Sequence, residues 1–239
     1  VCFLSGDALA LQSTTNTGGA ALHLELPTGE GTYTSGIKIV LMLAALTFAP
    51  AIVLSMTSFT RIIIVLALLR QAVGVVQLPP SRVLVGLALF LTLFTMKPVM
   101  EQIHREAIEP YEAGQIDEKA LVETGMRPLR RFMLRHTREK DLGLFLHIMG
   151  QDKPATSQDV PTLAVIPAFM LSELKTAFQI GFLIYIPFLI LDMVVASILL
   201  SMGMMMLPPV LISLPFKLML FVMVDGWYLT VGSLMRSFS

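Results

Sequence analysis

One cysteine, Cys2, and one tryptophan, Trp227, occur in 239 residues, so no internal disulfide exists and cysteine neither requires nor excludes an oxidising compartment. Net charge is lacking too: 17 basic side chains balance 17 acidic ones, which removes any global electrostatic case for nucleic acid. The chain has no glycine-rich phosphate loop, and its four histidines, His23, His104, His136 and His147, show no metal-site spacing and lie outside the apolar runs. No enzyme activity, cofactor or metal is expected from such a pattern. Internal repeats are absent as well.

What the chain has in excess is apolar material. Hydrophobic residues make up 55% and charged residues only 14%, more than a soluble domain of this size needs to bury, so an integral membrane protein is the default. The charges are concentrated: residues 97–159 carry 10 basic and 11 acidic side chains out of 34 in all. That middle segment is the water-exposed part. Its Leu129, Phe132, Met133 and Leu142, Phe145, Leu146, Met149 recur at three and four residues, which predicts two or three amphipathic helices, broken at Gly125 and Pro128.

Four apolar blocks predict an all-α, membrane-associated fold built from long broken helical hairpins. Residues 39–59 form the first, with Pro50 near its middle, and residues 83–96 the second, which is short for a span of roughly 20 residues. Residues 180–206 and 210–224 form the third and fourth, joined by Met202, Gly203, Met204, Met205, Met206, Leu207, Pro208 and Pro209. The expected organisation is an N-terminal arm over 1–36, a first hairpin region over 37–100, a polar helical segment over 101–160 and a second hairpin over 161–239. Within the arm, Ala8, Leu9 and Ala10 fit the small-x-small pattern before a signal-peptidase cut, although Asp7 interrupts the apolar run, and a flexible exported stretch follows.

Arg61, Arg70 and Arg82 carry no acidic company, which by the positive-inside rule places that connection in the cytoplasm. The polar middle segment then lies on the periplasmic side of a bacterial inner membrane, and the methionine turn points back toward the cytoplasm. A turn facing bulk water should be polar, yet nothing ionisable lies between Asp192 and Lys217. Methionine is unbranched and repacks readily, so a ring of such tips would form a deformable apolar seal; core filling is the other reading of the same residues.

Glu173, Lys175, Asp192, Lys217 and Asp225 each need a partner or water among apolar helices. With the hairpin turning near Leu207, Lys217 is level with about Ile198, roughly 9 Å along the axis from Asp192, while Asp192 falls near Asp225. No partner for Lys217 is therefore expected in its own hairpin, which leaves contacts between subunits or hydration at the boundary.

The run over residues 58–71, Pro79-Pro80, residues 86–92, residues 132–145, residues 172–182, Gly203-Met-Met-Met-Leu-Pro-Pro209 and residues 214–227 closely resemble the FliP family of flagellar export-gate proteins. The resemblance implies a homo-pentamer that joins FliQ and FliR in the core of the flagellar type III secretion gate, with FlhB attached and FlhA nearby. It also implies a conical complex held largely above the bilayer plane. Carried over by position, Met202, Met204, Met205 and Met206 match the methionine loops that narrow the export pore, and Glu173 and Lys217 match charged positions suited to intersubunit contacts. Residues 1–37 match no such pattern. The expected role is passive passage of unfolded flagellar proteins, with an injectisome gate as the paralogous alternative. A small-solute or proton-coupled transporter using Asp192 and Lys217 is a third reading, disfavoured by the missing inverted repeat.

Overall fold

Apolar stretches with few β-branched clusters and well-placed glycine and proline stops fold as helices here, and every element among the described residues is helical. The computed structural model describes residues 32–75, 79–151, 159–204 and 207–238, with side chains from residue 37 onward. Contacts divide the chain into two units, Val1–Thr47 and Phe48–Ser239. The first contributes most of α1, Thr32–Ser55, whose side chains from Ile37 are exposed nearly all round. A helix that is apolar on every side and uncovered suits lipid or a partner helix.

The second unit is organised on α2, Phe59–Val73, which packs most extensively on α7, Thr162–Ser201, and also on α3, Ser81–Ile103, and α8, Pro209–Met223. Its Ile62, Val65, Leu66 and Leu69 are buried and recur at helical spacing. Gly74 stops it in the left-handed region at φ 87°, donating its N–H to the Gln71 carbonyl. One core joins Ile62, Val65 and Leu66 to Leu84, Ala88, Leu91, Ala177 and Leu234.

The second apolar block is longer than the sequence suggests. Helix α3 continues through a π-helical turn, His104–Ile108, into α4, Glu109–Glu112, making one stretch of 32 residues that is apolar enough to span. Lys97 stays outward with Glu101 one turn on, and Pro98 is carried inside the helix, its lost hydrogen bond offset by burial of Met96 and Val99.

Helix α5, Glu118–His136, is capped by Asp117, whose carboxylate accepts from the Ala120 N–H at 2.9 Å. The break expected at Gly125 and Pro128 does not occur. Gly125 lies against Ala107 of the π-helical turn, where small residues permit close approach, and Pro128 is buried, so packing outweighs local helix propensity. The actual stop is extended Thr137, followed by α6, Glu139–Ile148. Both helices pack on α7, with Met133, Leu146, Val165 and Phe169 in a second core beside Met56.

Beyond that core, α7 shows Phe182, Leu183, Leu189, Ile190, Met193 and Val194 on its surface. Helix α9, Gly226–Arg236, leaves α8 at a 62° bend. The bend is set by Asp225, left-handed at φ 49°, and by Gly226, where a Cβ would overlap the Phe221 ring. Among the described residues, three helical stretches are long and apolar enough to cross a membrane, and the bent α8–α9 pair makes a fourth if it is one span.

Candidate functional site

The tip of the α7–α8 hairpin is built by a glycine and two prolines. Gly203, at φ 75°, donates to the Leu200 carbonyl at 3.1 Å, and Met204 donates to the Leu199 carbonyl at 3.0 Å; together these form a Schellman stop. Pro208 precedes the helix, and Pro209 opens α8 in its first turn, where a missing N–H costs nothing. The stop leaves Met202 and Met204 59% and 41% exposed, with Leu207 also outward. Met205 and Met206 lie outside the described residues. Apolar side chains thus crown two apolar helices, with no ionisable group among the described residues of the tip.

Below the tip, the expectation of an unpartnered Lys217 is overturned. Lys217 Nζ donates to Asp192 Oδ2 at 2.6 Å, and Ser213, one turn earlier on α8, donates to Asp192 Oδ1. The cause is the position of the turn. Because the Gly203 stop ends α7 at Ser201 and α8 starts at Pro209, the hairpin turns near residue 205 rather than 207. A displacement of about two residues moves the level position by twice that, about four, which brings Asp192 within reach of Lys217. Lys217 is 3% exposed and Asp192 keeps 25% of its side chain accessible. Asp225 does not meet Asp192; it is exposed at the bend.

Glu173 is also neutralised within the chain. Arg61, the basic residue two positions into α2, donates from Nε to Glu173 Oε2 at 2.8 Å and from Nη2 to Glu173 Oε1. Its third nitrogen, Nη1, donates to the Ser237 carbonyl and hydroxyl, each at 2.9 Å, and the guanidinium carbon lies 3.9 Å from the centre of the Phe238 ring. A buried guanidinium is tolerated because nearly every donor is used. Sequence reasoning did not connect Arg61 to Glu173; the signal was that Arg61 is a lone cation inside an apolar run. Lys175, two residues along α7, is exposed.

A polar cluster joins the middle segment to α7. The buried Ser172 hydroxyl donates to Asp141 Oδ2 at 2.7 Å and accepts from the Arg138 N–H at 3.0 Å. His136 stacks near Phe132 and Phe238, with Nδ1 donating to the Phe132 carbonyl at 2.9 Å. Burial, more than the nearby charges of Arg61 and Arg135, holds its pKa below the ordinary 6.5. Among the described residues no three His, Cys, Asp or Glu side chains come together in a way that could hold a metal ion.

Comparison with known proteins bears on what this hairpin serves. The family profile described as the FliP family matches residues 42–234. "Flagellar biosynthetic protein FliP" of Bacillus subtilis (strain 168) is 53% identical over 204 residues, covering 85% of this chain and 92% of the relative. The protein of that name from Pectobacterium carotovorum subsp. carotovorum is 54% identical over 213 residues, covering 89% and 83%. That of Caulobacter vibrioides is 46% identical over 238 residues, covering 100% and 90%.

Proposed function

This chain belongs to the FliP family, and from that premise we propose that it is the pore-forming core subunit of the flagellar protein export gate. Unfolded flagellar proteins pass between methionine tips contributed by several copies; when idle, the tips close on one another and exclude water and ions. The observation that carries this reading is the Schellman-stopped turn, which holds Met202 and Met204 outward on two apolar helices without a polar residue to hydrate them. A thioether surface conforms to whatever chain occupies the pore, which suits a conduit that must accept many sequences.

The partners follow the same reading: a homo-pentamer of this chain, FliQ, FliR and FlhB in direct contact, and FlhA nearby, in the inner membrane with the polar middle segment on the periplasmic side. Glu173 and Lys217, the charges the resemblance suggests for contacts between subunits, are both buried and engaged within the chain, while a quarter of the Asp192 side chain stays accessible beside Lys217. The relatives named above are all flagellar, which favours the flagellum over an injectisome. A native mass spectrum of the detergent-purified chain, alone and co-expressed with FliQ and FliR, tests the assembly. A pentamer that takes up both supports it; a monomer or dimer indifferent to them overturns it.

A further inference from the structure

Helix α2 has a second face. While Ile62, Val65 and Leu66 enter the core, Ile64, Ala67 and Leu68 line an open groove of about 540 Å3, walled on the α7 side by Phe178, which is 54% exposed. Leu68 is seated on Gly181 of α7, where a Cβ would overlap it, so the two helices cross closely beside the groove. From Ile64 to Gly74 the groove follows roughly 15 Å of helix and changes character along the way. It begins apolar, passes Arg70 and Gln71, and closes on Gly74 and Val75.

Arg70 is not neutralised. Its Nη1 donates to Ser81 Oγ at 3.0 Å and to the Pro79 carbonyl at 3.4 Å, both uncharged, and no carboxylate among the described residues pairs with it. Arg82 stands one residue beyond Ser81, exposed, and the only acid near this end among the described residues, Asp192, is already held by Lys217, whose ammonium lies close to Gly74. In a second copy of this chain the α7 carboxylates are already engaged, Glu173 by Arg61 and Asp192 by Lys217. The acids of the Ser81–Glu112 stretch begin at Glu101, roughly 28 Å of helix from Arg82.

We propose that this groove is a binding site for an anionic phospholipid, with the phosphate on Arg70 and an acyl chain lying along Ile64, Leu68 and Phe178. Pockets of a few hundred Å3 with apolar walls and one or two placed polar groups are the usual form of a ligand site, and basic pockets between apolar helices take acidic headgroups. The site rests on the membrane location used above, and the bound lipid fills the space between α2 and α7 that side chains leave open.

The test uses the full chain with benzoylphenylalanine in place of Phe178, reconstituted into nanodiscs of phosphatidylcholine with an equal part of phosphatidylglycerol. After irradiation, intact mass should rise by one phospholipid, with phosphatidylglycerol captured over phosphatidylcholine by roughly fivefold. Arg70→Gln should bring capture to parity, whereas Arg82→Gln should retain most of the preference. An adduct to a second protein chain, no preference in the parent, or equal loss from both arginine variants would overturn the lipid site. Failure of the chain to enter the discs would overturn the bilayer premise itself, a separate readout from the crosslink.

Discussion

Lys217 and Asp192 stand at the same level of the α7–α8 hairpin, joined at 2.6 Å across two otherwise apolar helices. The pair fixes the register of the hairpin, since a slip of one turn would bury an uncompensated ammonium. Lys217→Met should therefore leave Asp192 with Ser213 alone and destabilise the chain by about 1.5–3 kcal/mol, the range for a charged hydrogen-bonded contact. Combining it with Asp192→Asn should recover much of the loss. Urea unfolding in detergent micelles, arranged as a double-mutant cycle, measures the coupling; additive losses would exclude the pair as the register lock.

Arg61 serves three partners with a planar fork that lysine cannot reproduce. Arg61→Lys should keep the charge opposite Glu173 but lose the contacts to Ser237 and Phe238. The amide hydrogens of residues 237–238 should then exchange faster in a chain that still folds. Equal exchange in parent and variant would show that this segment is held by something else.

Stability should depend on pH through His136. Its pKa is lowered in the fold, so below about 6.5 the unfolded chain binds the proton more readily than the folded one. Stability is then full above that value and falls as pH drops from 6.5 toward the lowered native value. Melting temperatures between about pH 5 and 8 should show this slope, and His136→Gln should flatten it. A variant with an unchanged slope would assign the effect to carboxylates.

Replacing Met204, Met205 and Met206 together by alanine should enlarge the closed tip and raise ion conductance of the assembled complex in planar bilayers. Met202 and the Gly203 stop remain, so assembly should be unaffected. Unchanged conductance from an intact assembly would count against a methionine seal.

At Gly226, any side chain meets the Phe221 ring. Gly226→Ala should cost about 1–3 kcal/mol by displacing a ring that also packs edge-on against Trp227. Quenching of fluorescence from Trp227, the single tryptophan, should change with it.

The helical class, the long apolar hairpin and its methionine tip were legible because each rests on local composition and period. Proline misled the reading of boundaries: Pro98 and Pro128 both sit inside continuous helices, because burial of Val99 and of Pro128 itself outweighs one lost backbone bond. The hairpin register failed for a smaller reason. Gly203, not Leu207, sets the turn, and an error of about two residues there becomes about four at Lys217. The Arg61 to Glu173 pair spans 112 residues, and no periodicity carries information over such a separation. Residue type marks Glu173 as costly among apolar helices, whereas Arg61 reads only as a charge of the connection between apolar blocks, so the two are not matched.

The distance in sequence between Arg61 and Ser237 also orders events in time. At roughly 5–20 residues per second of synthesis, a separation of 176 residues takes about 10–35 seconds to cover. During that interval the guanidinium lacks first Glu173 and then Ser237, so α2 cannot be finished when it is made. The nascent chain must keep this cation wet until its late partners arrive, so residues 237–238 dock well after α2 has been made.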